Sequence, residues 1–330
     1  MRLFVDDAPA ETLNPSQAAE LGAAMRSNCE RALRGKPQVV ERAVESLVAG
    51  GHLLLEDVPG VGKTTLAAAL ARTVAGRFRR VQFTSDLLPS DVIGTAMPEV
   101  VEGRPTGSLV FHPGPLFAHV VLADEINRAS PKTQSALLEA MAEGRVTVDG
   151  EAHALPRPFF VVATQNPIEH AGTHALPESQ LDRFHMRLSI GYPSGEDEAA
   201  VLRDDPSARD LPSLPAVVTP EQVLAMRTAA SRVKVDDALI AYLLALVGET
   251  REHEAVRVGA STRAALALRH AAQAHALMDA RDFVIPEDVQ SLAVDVLSHR
   301  LVAESRSHGG AAEEARWILQ EIVDRVPVPL

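Results

Sequence analysis

The sequence predicts an α/β fold: a core built on a parallel five-stranded sheet with helices on both faces, followed by a smaller all-α domain. Three observations lead there. Five short apolar runs recur along the middle of the chain, "HLLLE", "RVQF", "HVVLADE", "FFVVATQN" and "HMRLSI". Their apolarity is continuous rather than alternating, as in strands buried on both faces. The first run passes through a glycine-bearing turn into a helix-forming stretch, "LLLEDVPGVGKTTLAAAL", the order of strand, loop and helix that cradles a phosphate. Beyond Gly191 the strand signals end, and helical patterns such as "DDALIAYLLALVGET" and "TRAALALRHAAQAHAL" take over.

Residues 1–15 mix acidic, proline and polar residues without sustained periodicity and read as a flexible extension. The core then spans 16–192. It begins with helical spacing from Ser16 to Leu33 and from Pro37 to Ala49, where Gly35-Lys36-Pro37 combines a stop with a start signal. Helix-like stretches follow the first and third strands. Asp149-Gly150 between alternating runs predicts a two-residue hairpin turn, and "MPEVVEGRPTGSLVF" reads as a second hairpin. Such hairpins either meet a substrate or pack on a neighbouring subunit, and both readings stay open. The helical domain takes 193–330, and Pro206, Pro212, Pro215 and Pro220 place an irregular connection ahead of its main helices.

The chemistry gathers at strand ends. Helix dipole and backbone N–H groups converge where the first strand's turn opens its helix, and Gly60 and Gly62 let the backbone approach a phosphate closely. Lys63 reaches the outer phosphates as a point charge, and Thr64 offers a hydroxyl to magnesium. The full pattern asks for glycine where Asp57 stands, so this is a variant loop. "HVVLADEINRAS" delivers two acids at a strand's carboxyl end: Asp124 to hold the metal through its water shell, Glu125 to polarise an attacking water. Asn166, in "ATQNP", is placed to hydrogen-bond both that water and the outermost phosphate, or to satisfy a turn before Pro167. Arg183 in "LPESQLDRF" and Arg263 in "GASTRAAL" are planar, permanently charged guanidiniums suited to charge spreading over a transferring phosphoryl group.

These segments, together with "GGHLLLEDVPGVGKT" and "ADEINRASPKTQSALLEAMAEGRV", resemble the MoxR family of AAA+ ATPases from about Glu20 to about Val323. The resemblance implies an AAA+ P-loop core and a helical lid that closes over ATP and Mg2+. It implies a Walker A loop of Pro59, Gly60, Val61, Gly62, Lys63, Thr64 and Thr65, a Walker B pair at Asp124 and Glu125, and a sensor-1 asparagine at Asn166. It further implies an arginine finger at Arg183 and a sensor-2 arginine at Arg263. A homo-oligomeric ring, expected to be a hexamer, would remodel or mature protein clients, with a von Willebrand factor A domain protein as partner.

Composition narrows the field. A net charge of −12 and an aromatic content of 4% disfavour a large nucleic-acid footprint, although a nucleic-acid-linked AAA+ motor and a nucleotide-dependent assembly scaffold remain the rival readings. The arginine cluster around Arg79 reads as a solvated strand edge. With one cysteine, Cys29, and no leader-like segment at Met1, the expected location is cytoplasmic, and no apolar run is long enough to span a membrane. Cys29 reads as a helix residue. His170 and His174 invite a zinc reading, which the lack of further converging ligands disfavours.

Overall fold

The computed structural model describes residues 13–101, 104–166, 174–304 and 311–329. Five strands form the main sheet: β1 (Leu53–Glu56), β2 (Phe78–Gln82), β3 (Val120–Asp124), β4 (Phe160–Gln165) and β5 (Met186–Leu188). Their order is β2-β3-β4-β1-β5, and every neighbouring pair is parallel. The continuous apolarity of the strands has its expected cause. Leu53, Leu55, Val120, Leu122, Phe160 and Val162 enter one buried cluster, whereas Leu54, Val121, Ala123, Val161 and Ala163 enter another on the opposite face. Alternate side chains point to opposite faces of a strand, so a sheet covered twice needs apolar residues at both parities.

Helix Pro15–Ala32 starts on a capping box between Asn14 and Gln17, and helix Pro37–Val48 starts on a proline at its first turn. The first packs against both helix Lys63–Thr73 of the core and helix Thr262–Met278 of the C-terminal part, and its burial is continuous with theirs. Cys29 lies in this seam, where burial pushes its thiol up to about 11, so it stays protonated as a packing residue. Both hairpins are present. Arg145–Val148 pairs with Glu151–Ala154 across a turn in which Asp149 and Gly150 have φ of 50° and 85°, and Gly94–Val101 pairs with Arg104–Pro113. The Phe111 ring stacks on His153 with centroids 3.8 Å apart, joining the two hairpins, and Met97 and Leu109 of the longer one are exposed.

The C-terminal part is mainly helical, yet it also carries a short antiparallel pair, Val256–Val258 with Val302–Ala303. At two or three residues per strand, the pair is too short for alternation to signal. The proline-rich connection coils into helices Gly195–Asp204 and Pro206–Arg209 and a 3₁₀ turn, Leu211–Ser213. No helix of the described residues is long and apolar enough to cross a membrane.

Buried histidines give the fold a pH signature. His52 Nδ1 accepts the Val161 N–H (3.0 Å) and its Nε2 donates to the Met141 carbonyl (3.2 Å), which fixes a neutral tautomer. Burial depresses His52 to about 4 and His185 to about 3. Below the ordinary histidine value near 6.5, the unfolded chain therefore takes up protons that the native state refuses. Stability is complete above that value and falls with pH, by about 2 kcal/mol per histidine between pH 6.5 and 5. His275 works in the other direction: burial alone would lower it, but its contact with buried Glu45 (2.5 Å) raises it, so it offsets part of the loss. The unfolding midpoint is expected to drop between pH 7 and 5 in a calorimetric series. A flat or rising midpoint would show that the native state accepts those protons.

Candidate active site

The carboxyl edge of the sheet collects the predicted residues other than Arg183 and Arg263. β1 ends at Glu56, and the following loop carries Gly60 and Gly62 at φ of 85° and 101° into helix Lys63–Thr73. At Gly62 the positive φ is the requirement, since side-chain-bearing residues rarely adopt it. Lys63, the first residue of the helix, donates from Nζ to the backbone carbonyl of Asp57 (2.7 Å), across the mouth of the loop. Thr64 and Thr65 follow in the same turn, and Thr65 Oγ1 lies 3.4 Å from Ser207 Oγ of the connecting segment.

Asp124 closes β3 and is buried, at 8% exposure. Its Oδ1 accepts the Thr164 hydroxyl (2.6 Å), and its Oδ2 meets the Arg80 guanidinium (2.6 Å). Glu125 then turns sharply: its backbone is left-handed at φ 56°, ψ 50°, a conformation that side-chain-bearing residues rarely adopt and that surrounding contacts must hold. The holding contact is the Glu125 N–H donating to Thr164 Oγ1 (2.8 Å). One hydroxyl on β4 thus fixes both acids. The Glu125 carboxylate accepts from Gln82 Nε2 (2.9 Å) and Arg128 Nη1 (3.0 Å). Asn166, buried, comes one residue after Gln165, the ladder partner of Glu56, so it faces the start of the loop.

Asp124 and Thr64 offer hard oxygen donors, and Asp124 Oδ2 already receives a cationic partner in Arg80. That donor chemistry fits magnesium and not a soft metal. The edge-strand arginines are indeed exposed, but Arg80 has this second task, which a basic cluster at a strand start does not signal.

Arg183 lies elsewhere. It precedes β5, whose Met186 pairs with Leu53 at the start of β1, so it stands at the amino edge of the sheet, opposite its own phosphate loop. There it donates to the Leu138 carbonyl (3.0 Å). Arg263 joins it through the intervening Asp182, which pairs with Arg263 (3.5 Å) and with buried Arg300 (3.0 Å). Burial lowers Arg300 to about 10, so it remains charged near neutrality. Of the two histidines, His170 lies outside the described residues. His174 is held through its backbone, donating to Asn127 O (2.6 Å) and accepting from Gln134 Nε2 (3.0 Å).

Sequence reasoning missed Thr164, Arg80, Gln82, Arg128 and Asp182. Only Thr164 carried any signal, since a hydroxyl inside a strand whose other positions are mostly apolar and buried needs a partner.

A glycine-bearing loop, an acid pair and an asparagine on the carboxyl edge of a parallel sheet, with a helical domain behind, define a P-loop ATPase of the AAA class. The model for the ATPase family associated with various cellular activities (AAA) matches residues 52–186, and that for the AAA lid domain matches 248–322. Chaperone MoxR1 of Mycobacterium tuberculosis is 41% identical over 89% of this chain and 80% of its own length. An uncharacterised Bacillus subtilis protein, YeaC, is 46% identical over 91% of this chain and 92% of its own. A crystal structure from Cytophaga hutchinsonii, of a presumed ATPase, superposes with a TM-score of 0.85 at 35% identity, covering 96% and 97% of the two chains. The chain belongs to the MoxR family of AAA+ ATPases.

Proposed function

We propose that the chain hydrolyses magnesium-ATP within a head-to-tail ring of its own copies, taken to be six, and uses the cycle to remodel or mature protein clients in the cytoplasm, alongside a von Willebrand factor A domain protein. The observation that carries this reading is the division of the residues between two edges. Lys63, Asp124, Glu125 and Asn166 share one, and Arg183 with Arg263 occupies the other. A second copy placed head to tail would complete a site split this way.

In this mechanism the loop amides and Lys63 Nζ bind the phosphates of ATP, Lys63 leaving the Asp57 carbonyl to do so. Asp124 and Thr64 would hold magnesium, which when bound neutralises phosphate charge. Glu125 turns from Gln82 and Arg128 to orient a water and take its proton, while Asn166 fixes that water relative to the outer phosphate. Arg183 of an adjacent copy stabilises the charge spreading over the transferring phosphoryl group. Arg263, tied to the same Asp182, passes the change to the helical domain, taken as residues 193–330 beyond a core of 16–192. Exposed Met97 and Leu109 give the longer hairpin an apolar surface for a client.

The direct test is Lys63→Ala. Hydrogen bonds to charged groups contribute roughly 1.5–3 kcal/mol, so affinity for a fluorescent ATP analogue is expected to fall by about tenfold or more, with turnover lost. Affinity close to that of the unmodified chain would assign the phosphate contact to another residue.

A further inference from the structure

Asp57 occupies the position where the phosphate-loop pattern asks for glycine. It is no passive replacement. The side chain is buried, at 7% exposure, and both its oxygens are used. Oδ1 accepts its neighbour's amide, Val58 N–H (2.9 Å). Oδ2 accepts three donors from one short segment: the Ser189 hydroxyl (3.0 Å), Ile190 N–H (2.6 Å) and Gly191 N–H (2.7 Å). That segment directly follows β5, where the chain leaves the sheet for the connection to the helical domain; Gly191 turns at φ 64°, and the next carbonyl, Tyr192 O, is held by Lys36 Nζ (2.7 Å).

The backbone of the same residue faces the other way. Asp57 O accepts Lys63 Nζ, and Asp57 N–H donates to Gln165 O (3.2 Å) beside Asn166. One residue therefore touches the phosphate-binding lysine through its carbonyl and the exit to the helical domain through its carboxylate. A glycine would satisfy the loop's backbone needs but leave the Ile190 and Gly191 amides without this acceptor, and such amides are seldom left unpaired when buried.

We propose that Asp57 is a positioning residue that couples occupancy of the phosphate loop to the segment 189–191. It rests on the reading above that this loop binds ATP. When Lys63 moves from the Asp57 carbonyl to a phosphate, the peptide of Asp57 loses its cationic partner, and the carboxylate carries the resulting shift into the segment 189–191. Nucleotide affinity and the coupling are then separable properties: the first belongs to Lys63 and the loop amides, the second to the Asp57 carboxylate.

The experiment compares the full chain with Asp57→Gly and Asp57→Asn, measuring AMP-PNP–magnesium affinity by calorimetry and amide exchange of the peptide containing 189–192 with and without that nucleotide. In the unmodified chain, nucleotide is expected to slow exchange at Ile190 and Gly191 by about fivefold or more. In Asp57→Gly those amides are expected to exchange fast in either state, changing less than about twofold, while affinity stays within about tenfold and kcat falls more than KM changes. Asp57→Asn keeps one carbonyl oxygen of the two carboxylate oxygens, so it should restore part of the response; it also supplies the comparison if the glycine variant does not fold. An unchanged nucleotide response in both variants, or none in the unmodified chain despite binding, overturns the coupling. Absence of AMP-PNP binding by the unmodified chain overturns instead the nucleotide reading on which it rests.

Discussion

Glu125→Gln is expected to bind ATP with near-normal affinity and to hydrolyse it about 10² to 10⁴ times more slowly, the usual loss when a general base is removed. The geometry separates the two properties. Glu125 makes none of the loop's contacts; its carboxylate rests on Gln82 and Arg128, and its backbone on the Thr164 hydroxyl. Glutamine retains the shape and can still accept from both partners, so the left-handed turn should survive. What it lacks is a basic oxygen for the proton of the attacking water. Steady-state phosphate release together with titration of a fluorescent ATP analogue checks both halves. Unchanged turnover would move the base to another group. Lost binding would show that the turn at residue 125 shapes the phosphate site, and Thr164→Val, which removes the hydroxyl serving both acids, would then reproduce the defect.

The parts legible in the sequence share one property: their physics is local. The five strands could be read because each is a short run of apolar residues needed on both faces, and the hairpin at Asp149-Gly150 because its turn demands positive φ at two consecutive positions. The places of Lys63, Asp124, Glu125 and Asn166 at one edge of the sheet could be read because each follows directly from the strand or turn that positions it. The partners that hold them were not legible, because they come from other strands. Thr164 reaches Asp124 only because β4 lies beside β3, and Arg80 only because β2 lies on the other side. The same holds for Asp182, whose neighbours Arg263 and Arg300 arrive from the C-terminal, mainly helical part of the chain. Strand order is a property of the whole fold, and no window of sequence displays it.

Arg183→Ala is expected to cost roughly 10³ to 10⁵ in turnover, the range over which an arginine finger acts, while leaving ATP binding intact. Its place at the amino edge of the sheet, opposite the loop of the same copy, makes the loss one that a neighbour can repair. Glu125→Gln and Arg183→Ala proteins, each inactive alone, are mixed under conditions where subunits exchange. With the finger acting in trans, about a quarter of the interfaces in an equal, random mixture join an intact acid pair to an intact finger, and activity returns in part. With the finger acting within its own copy, every site keeps one lesion and nothing returns. Strong coupling around the ring would lower the recovered activity below that quarter. Titrating each variant with unmodified protein measures the coupling separately, since turnover per intact site then depends on the number of damaged neighbours. Demonstrated subunit exchange without recovery, at a coupling too weak to hide it, would place Arg183 outside the shared site. The ion pairs of Asp182 with Arg263 and Arg300 would then be read as fastening the helical domain to the core alone.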